Sequence, residues 1–244
     1  MLIVLPPSET KAVGGNGAPL EFSALSFPTL TATRSDIAQD LVQLADDADE
    51  AMRVLKLGPK LASEVAANAE LLTAPTMPAL DRYTGVLFDA LDAKTLPAQA
   101  RAQLAVGSAL FGVVRAEDHI PHYRLSGTTK LPRRGASPDS TTPTMRARWG
   151  STITEALADE AFLIDLRSGT YLNLGKVKSA VTATVVTREG KVVSHFNKHH
   201  KGVLARELVL ASTPPTTVED AVEIACEAGM DASVVDGHIR IVVD

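Results

Sequence analysis

The chain has 244 residues, 45% of them hydrophobic and 22% charged, with a formal net charge of −5. Length and composition fit one mixed α/β domain, residues 1–244, able to bury a sizeable core, and argue against a disordered chain, a fibrous repeat or a uniformly basic binder. The single cysteine excludes an internal disulfide and fits a reducing compartment.

The N-terminus "MLIVLPPSETK" places four apolar residues after Met1, so Leu2–Leu5 reads as a short buried strand. That run is too short, and lacks the basic flank, for a signal peptide. No later segment approaches the ~18 apolar residues of a membrane span. The expectation is a cytoplasmic protein with no membrane partner. "PPSETKAVGGNGAP" then forms a loop; it lacks the glycine, lysine, Ser/Thr order of a phosphate-binding loop.

Ser35 is the expected N-cap of one helix carrying Ile37, Leu41, Leu44, Ala48, Met52 and Leu55 at helical spacing. A second helix is expected from Pro59 to Leu71, with shorter ones in "YTGVLFDAL", "PAQARAQLA" and "MRARWGSTITEALAD". Leu110 to Val114 is expected to begin a packed helix. Ser126 to Thr144, rich in Pro, Ser, Thr and Gly, reads as a long mobile loop.

The second half is β-rich, with "AFLIDL", "VTATVVT" and "KVVSHF" as strands, the last two a hairpin turning at Arg188–Gly190. Thr216 with Glu219 predicts a capping box for the next helix, on which Cys226 is expected to be buried and structural. "SVVDGHIRIVV" predicts a final hairpin turning on Asp236-Gly237.

Charge is uneven along this order. Asp36 to Glu64 holds seven acids and three bases, and Glu219 to Asp244 seven acids and one base. Arg115 to Gly150 instead holds seven bases and three acids, and Arg188 to Arg206 five bases and one acid. Two basic blocks apart in sequence can make one positive face.

Aromatic residues lie among these charges: Tyr83 in "DRYTG", Tyr123 in "HYRL", Trp149 in "RARWG" and Tyr171 in "RSGTYLNL". Such rings stack bases or pack at the edge of a core. The histidines His119 and His122, and then His195, His199 and His200, lie close together in two groups, but no further ligand pattern completes a metal site, so neither a metal nor another cofactor is expected. Glu9, Asp89, Asp118 and Asp165 are candidate acids or bases, and Ser8, Ser108 and Ser168 candidate nucleophiles. No G-x-S-x-G elbow singles one out.

Taken together, "LPPSETK", "RYTGVLFDAL", "GSALFGVVRAEDHIPHYRL", "RWG", "LIDLRSGTY" and "HFNKHHKG", from Leu5 to Gly202, resemble the YaaA peroxide-stress proteins. The resemblance implies a mixed α/β protein, a mixed sheet flanked by helices, with a basic cleft. It also implies DNA binding, to duplex or to distorted or junction DNA and not sequence-specific, that limits peroxide and iron damage. By motif and chemistry together, Arg115, Asp118, Tyr123 and Arg124 border that cleft. Asp118 would orient an arginine or a ligand hydroxyl, Tyr123 would stack, and Arg124 would hold phosphate. Lys11, Tyr83, Arg167, Lys198 and Lys201 join from other blocks. Gly107 and Gly112 are too far apart for the close G-x-G turn of a helix-hairpin-helix DNA binder, so no site rests on that motif. An enzyme acting on a nucleotide or nucleoside-like small molecule in the same cleft is the alternative, with Asp118 or Glu9 as catalyst. A purely protein-binding role is a third.

Overall fold

The computed structural model describes residues 1–137, 140–193 and 197–243. Its strands are β1 Leu2–Leu5, β2 Met77–Pro78, β3 Leu104–Ser108, β4 Gly112–Arg115, β5 His119–Ile120, β6 Leu163–Asp165, β7 Val181–Thr187, β8 Asp231–Val235 and β9 His238–Val243. Seven form one sheet in the order β4-β3-β1-β6-β7-β9-β8, while β2 and β5 make a separate pair. β3, β1, β6, β7 and β9 run parallel, and β4 and β8 are antiparallel at the two edges. This is the expected mixed sheet flanked by helices. All four residues of β1 are buried, which explains its unbroken apolar run: a central parallel strand is covered on both faces. No helix among the described residues is long and apolar enough to cross a membrane.

The final hairpin turns where predicted, with Asp236 at φ 51° and Gly237 at φ 75°, the pair of left-handed residues a tight hairpin demands. Several other expectations are corrected. The first helix begins at Thr31 and stops at Ala45, and Asp47 caps a separate helix, Ala48–Leu55, by accepting from Glu50 N at 3.0 Å. A charged "DDADE" run thus breaks one apparent apolar stripe into two helices. The capping box is Thr217 with Asp220, one residue along from the expected pair. The Arg188–Gly190 turn exists, but its return is an isolated bridge, Val186 to Val192; Ser194 to Phe196, including His195, lie outside the described residues.

Leu110 to Val114 is not a helix. Leu110 and Phe111 turn the chain, and Gly112 at φ 71° starts β4 against β3. A short apolar run buried on both faces has no periodicity to tell strand from helix. The outer edge of β4 is closed by fully buried Arg34, which donates from Nε to Phe111 O at 2.8 Å and from Nη2 to Val113 O at 2.5 Å. Burial pulls this guanidinium down to about 10.

Cys226 is exposed, not buried, and donates to Ala232 O at 3.4 Å. Ala221 and Ala225 take the inward face of its helix instead. The Ser126–Thr144 segment has firm anchors: Leu131 is fully buried, and Arg134 reaches the buried Asp40 through its backbone N at 3.0 Å and Nη1 at 2.8 Å. Asp40 also accepts from buried Arg148.

Candidate functional site

The strand order creates one crevice. From β1 the chain proceeds to β3 on one side, whereas from β6 it proceeds to β7 on the other, so the loops leaving β1 and β6 diverge. In open α/β sheets such a divergence, at the carboxyl ends of the strands, is where ligands bind. Here a cleft of about 560 Å³ opens between Pro6, Pro7 and Glu9 after β1 and Leu166–Gly169 with Tyr171 after β6, with Lys198 and Lys201 of the helix Asn197–Leu210 on its wall.

The β6 side is held by a buried ion pair. Asp165 ends the strand, and Arg167 donates to it from Nε at 2.9 Å and from Nη2 at 2.6 Å, with Nη2 also reaching Gly175 O at 2.7 Å. The arginine stem crosses β3 at Gly107, where a Cβ would stand 2.6 Å from Arg167 Cδ, so only glycine leaves it room. Lys201 is buried and donates to Leu166 O at 3.1 Å, and burial lowers its pKa against the attraction of Asp165. Lys198 is exposed at the rim.

The β1 side is sewn to the segment 82–84. Lys11 bridges Tyr83, Ala12 N donates to Arg82 O at 2.8 Å, and Ser8 Oγ accepts from Thr84 N at 3.2 Å. Buried Arg82 donates back to Ala12 O at 2.6 Å. Arg124 pairs with Glu9 at 2.6 Å and donates to the Glu9 carbonyl at 2.9 Å, while its backbone N–H and C=O are both taken by buried Asn68.

Beneath these lies a chain of hydroxyls. Tyr83 and Tyr123 share a hydrogen bond of 2.7 Å, Tyr123 and Ser108 another of 2.7 Å, and Ser108 Oγ accepts from Leu110 N and Phe111 N. Burial raises both tyrosine pKa values, so the chain stays protonated at ordinary pH. The Lys11 ammonium lies over these rings, 4.4 Å from the Tyr123 centroid and 5.5 Å from that of Tyr83. Although the residue as a whole is only partly buried, its amine is enclosed by protein, and desolvation draws it down from 10.5 to about 8.

Seven of the nine sequence candidates therefore gather at this end of the sheet: Lys11, Tyr83, Tyr123, Arg124, Arg167, Lys198 and Lys201. Arg115 and Asp118 do not. Arg115 is in register with Ala105 near the amino end of β3, opposite Ser108 at its carboxyl end, and it pairs with Glu160 at 2.6 Å. The Asp118 carboxylate accepts from Ser26 N, Ser26 Oγ and Arg115 N, which makes it a corner brace. Tyr123 is only 1% exposed and meets Phe111 edge-on, so its ring is not presented to a base. Sequence reasoning passed over Arg82 and Asn68, ordinary surface residue types whose burial depends on contacts far along the chain.

The enclosed lysine gives a signed prediction. Its pKa is lower in the folded state, so the unfolded chain holds the proton more tightly; the cost is full below pH 8, shrinks above it and vanishes past 10.5. Lys11→Met is expected to stabilise the protein at pH 7, by at most on the order of 3 kcal/mol, with the gain closing as pH rises from about 8 to 10.5. Urea titrations of both proteins across that range check it.

The family described as Peroxide stress protein YaaA matches residues 1–227. A UPF0246 protein of Corynebacterium glutamicum is 57% identical over 235 residues, covering 94% of each chain. One from Corynebacterium efficiens is 57% identical over 243 residues, covering 98% of this chain and 97% of its own. One from Streptomyces coelicolor is 42% identical over 245 residues, covering 95% and 91%.

Proposed function

Because the chain belongs to the YaaA family of peroxide stress proteins, we propose that it acts in the peroxide response by binding DNA phosphates at the β1/β6 cleft, limiting damage to the DNA by iron and peroxide. The observation that carries this reading is the convergence of cations from four separate segments, Lys11, Arg124, Arg167 and the Lys198/Lys201 pair, on one end of the sheet of a protein whose net charge is −5. Local potential, not net charge, decides whether a polyanion is attracted.

The cations have unequal parts in it. Lys198, exposed at the rim, takes a phosphate directly. Arg124 takes a second by exchanging the Glu9 carboxylate for a phosphate oxygen. Arg167 and Lys201, bonded inward, hold the cleft's shape and contribute field. In binding assays with labelled duplex at low salt, Lys198→Ala is expected to weaken binding several-fold whatever the sequence. Lys94→Ala, whose exposed lysine sits on the segment that meets Arg101, itself paired with Glu117 at the other end of the sheet, is expected to leave it unchanged. Equal losses would contradict a localised site.

A second reading is favoured by the cleft's dimensions. A concave site of about 560 Å³ suits a nucleotide or nucleoside-like molecule, and two acids, Glu9 and Asp165, stand on its wall. On that reading Lys198→Ala abolishes turnover of a small substrate and leaves duplex affinity nearly unchanged.

A further inference from the structure

We propose that the Lys11 amine, held over the Tyr83 and Tyr123 rings next to the cleft residue Glu9, is a nucleophile that forms an imine with a small aldehyde or ketone. A lysine kept only for structure is normally paired with a carboxylate when enclosed. Lys11 is not. The two acids whose charge bears on it are engaged elsewhere, Glu9 by Arg124 at 2.6 Å and Glu64 by His122 at 3.1 Å. Its own hydrogen bond is a long one, to Ser8 O at 3.3 Å, and the faces of two tyrosine rings lie beneath it. Nearby Arg124 and Arg82 oppose its positive charge, and burial does so more strongly.

These are the conditions that turn a lysine into an amine nucleophile: desolvation and neighbouring cations keep part of it neutral near physiological pH. With a pKa of about 8, roughly a quarter of the amine is neutral at pH 7.5, against about one part in a thousand for an ordinary surface lysine. The nitrogen lone pair attacks the carbonyl carbon to form the C–N bond. Both protons of the neutral amine then leave with the carbonyl oxygen as water, giving C=N with no change of oxidation state. Glu9, the acid whose charge acts most strongly on Lys11, stands two residues before it in the chain and lines the cleft. The Tyr83–Tyr123–Ser108 hydroxyl chain fixes the rings under the amine.

The test uses the wild-type protein without nucleic acid, so its outcome is independent of the DNA reading. The protein is incubated with glyoxylate and sodium cyanoborohydride over a pH series, which traps an imine as a stable secondary amine, and labelled peptides are quantified by mass spectrometry. Lys11 is expected to label at least several-fold faster than Lys94 and Lys198 at pH 7, with a rate that rises to a plateau around a midpoint near 8. Labelling of Lys11 at or below the rate of those exposed lysines throughout the series would overturn the proposal.

Discussion

Replacing Arg167 by methionine is expected to cost about 3–5 kcal/mol of folding stability, because it leaves Asp165 as an uncompensated charge in the floor of the cleft. Both side chains are at most 1% exposed, and the carboxylate would keep only the Arg167 backbone N–H, at 3.1 Å, and the field of Lys201. The vacated carbonyl of Gly175 adds to the loss. Asp165→Asn with Arg167→Met removes the stranded charge, so the double variant is expected to be more stable than Arg167→Met alone. Urea denaturation read as a change in midpoint at constant slope measures both. A cost below about 1 kcal/mol for the single variant would mean that solvent reaches the pair, contrary to its burial.

The second large effect is expected at Gly202, where the helix Asn197–Leu210 crosses the helix Val86–Leu91. A Cβ on Gly202 would overlap the Leu87 carbonyl oxygen and stand 2.9 Å from Ala90 Cβ. Backbone cannot yield as a flexible side chain does. Gly202→Val is therefore expected to cost about 3 kcal/mol or more. Gly202→Ala should cost less, since alanine's better helix propensity returns about 1 kcal/mol. The consequence reaches the site, because this helix carries Lys198 and Lys201: Gly202→Ala protein that remains folded is expected to lose DNA affinity as Lys198→Ala does. A thermal melt beside a binding curve separates the two effects. Unchanged stability in Gly202→Val would show that the helices part without cost.

What the residues disclosed in advance follows physical lines. β1 and the β8–β9 hairpin were legible because a short apolar run before two prolines, and an Asp-Gly between alternating residues, each have one good structural solution. Leu110–Val114 was misread because a strand buried on both faces lacks periodicity. The cue was Gly112, which opens β4 with a φ of 71° and where a Cβ would stand 3.0 Å from the Trp149 ring, so that glycine is demanded. Cys226 was misplaced because helical spacing identifies a face but not which face the sheet covers. At the site, residue types and blocks named seven side chains that do gather. Arg115 was grouped with them by motif and chemistry, yet the antiparallel turn into β4 carries it to the other end of the sheet. The partners that fix the site, Asn68, Arg82 and Gly107, are set by long-range packing, and nothing local marks them.

The same packing ties two properties of Lys11 together. Enclosing the amine costs stability while it is protonated, below about pH 8, and, on the proposal above, the same lowered pKa leaves it increasingly neutral and nucleophilic as the pH rises through 8, the kind of local cost found where a protein keeps a functional group. The tyrosines beneath it are so buried that base stacking falls outside their role. On the proposed function, DNA recognition at this cleft would rest on phosphates alone, through few contacts.

That makes the salt dependence of duplex binding the most direct measurement of the central claim. If Lys198 and Arg124 each neutralise one phosphate, the plot of log affinity against log salt is expected to have a slope of about −2, and Lys198→Ala to reduce it by about one unit. Wild-type protein with no salt-dependent binding to duplex DNA, even at low ionic strength, would contradict a phosphate-binding cleft in this chain.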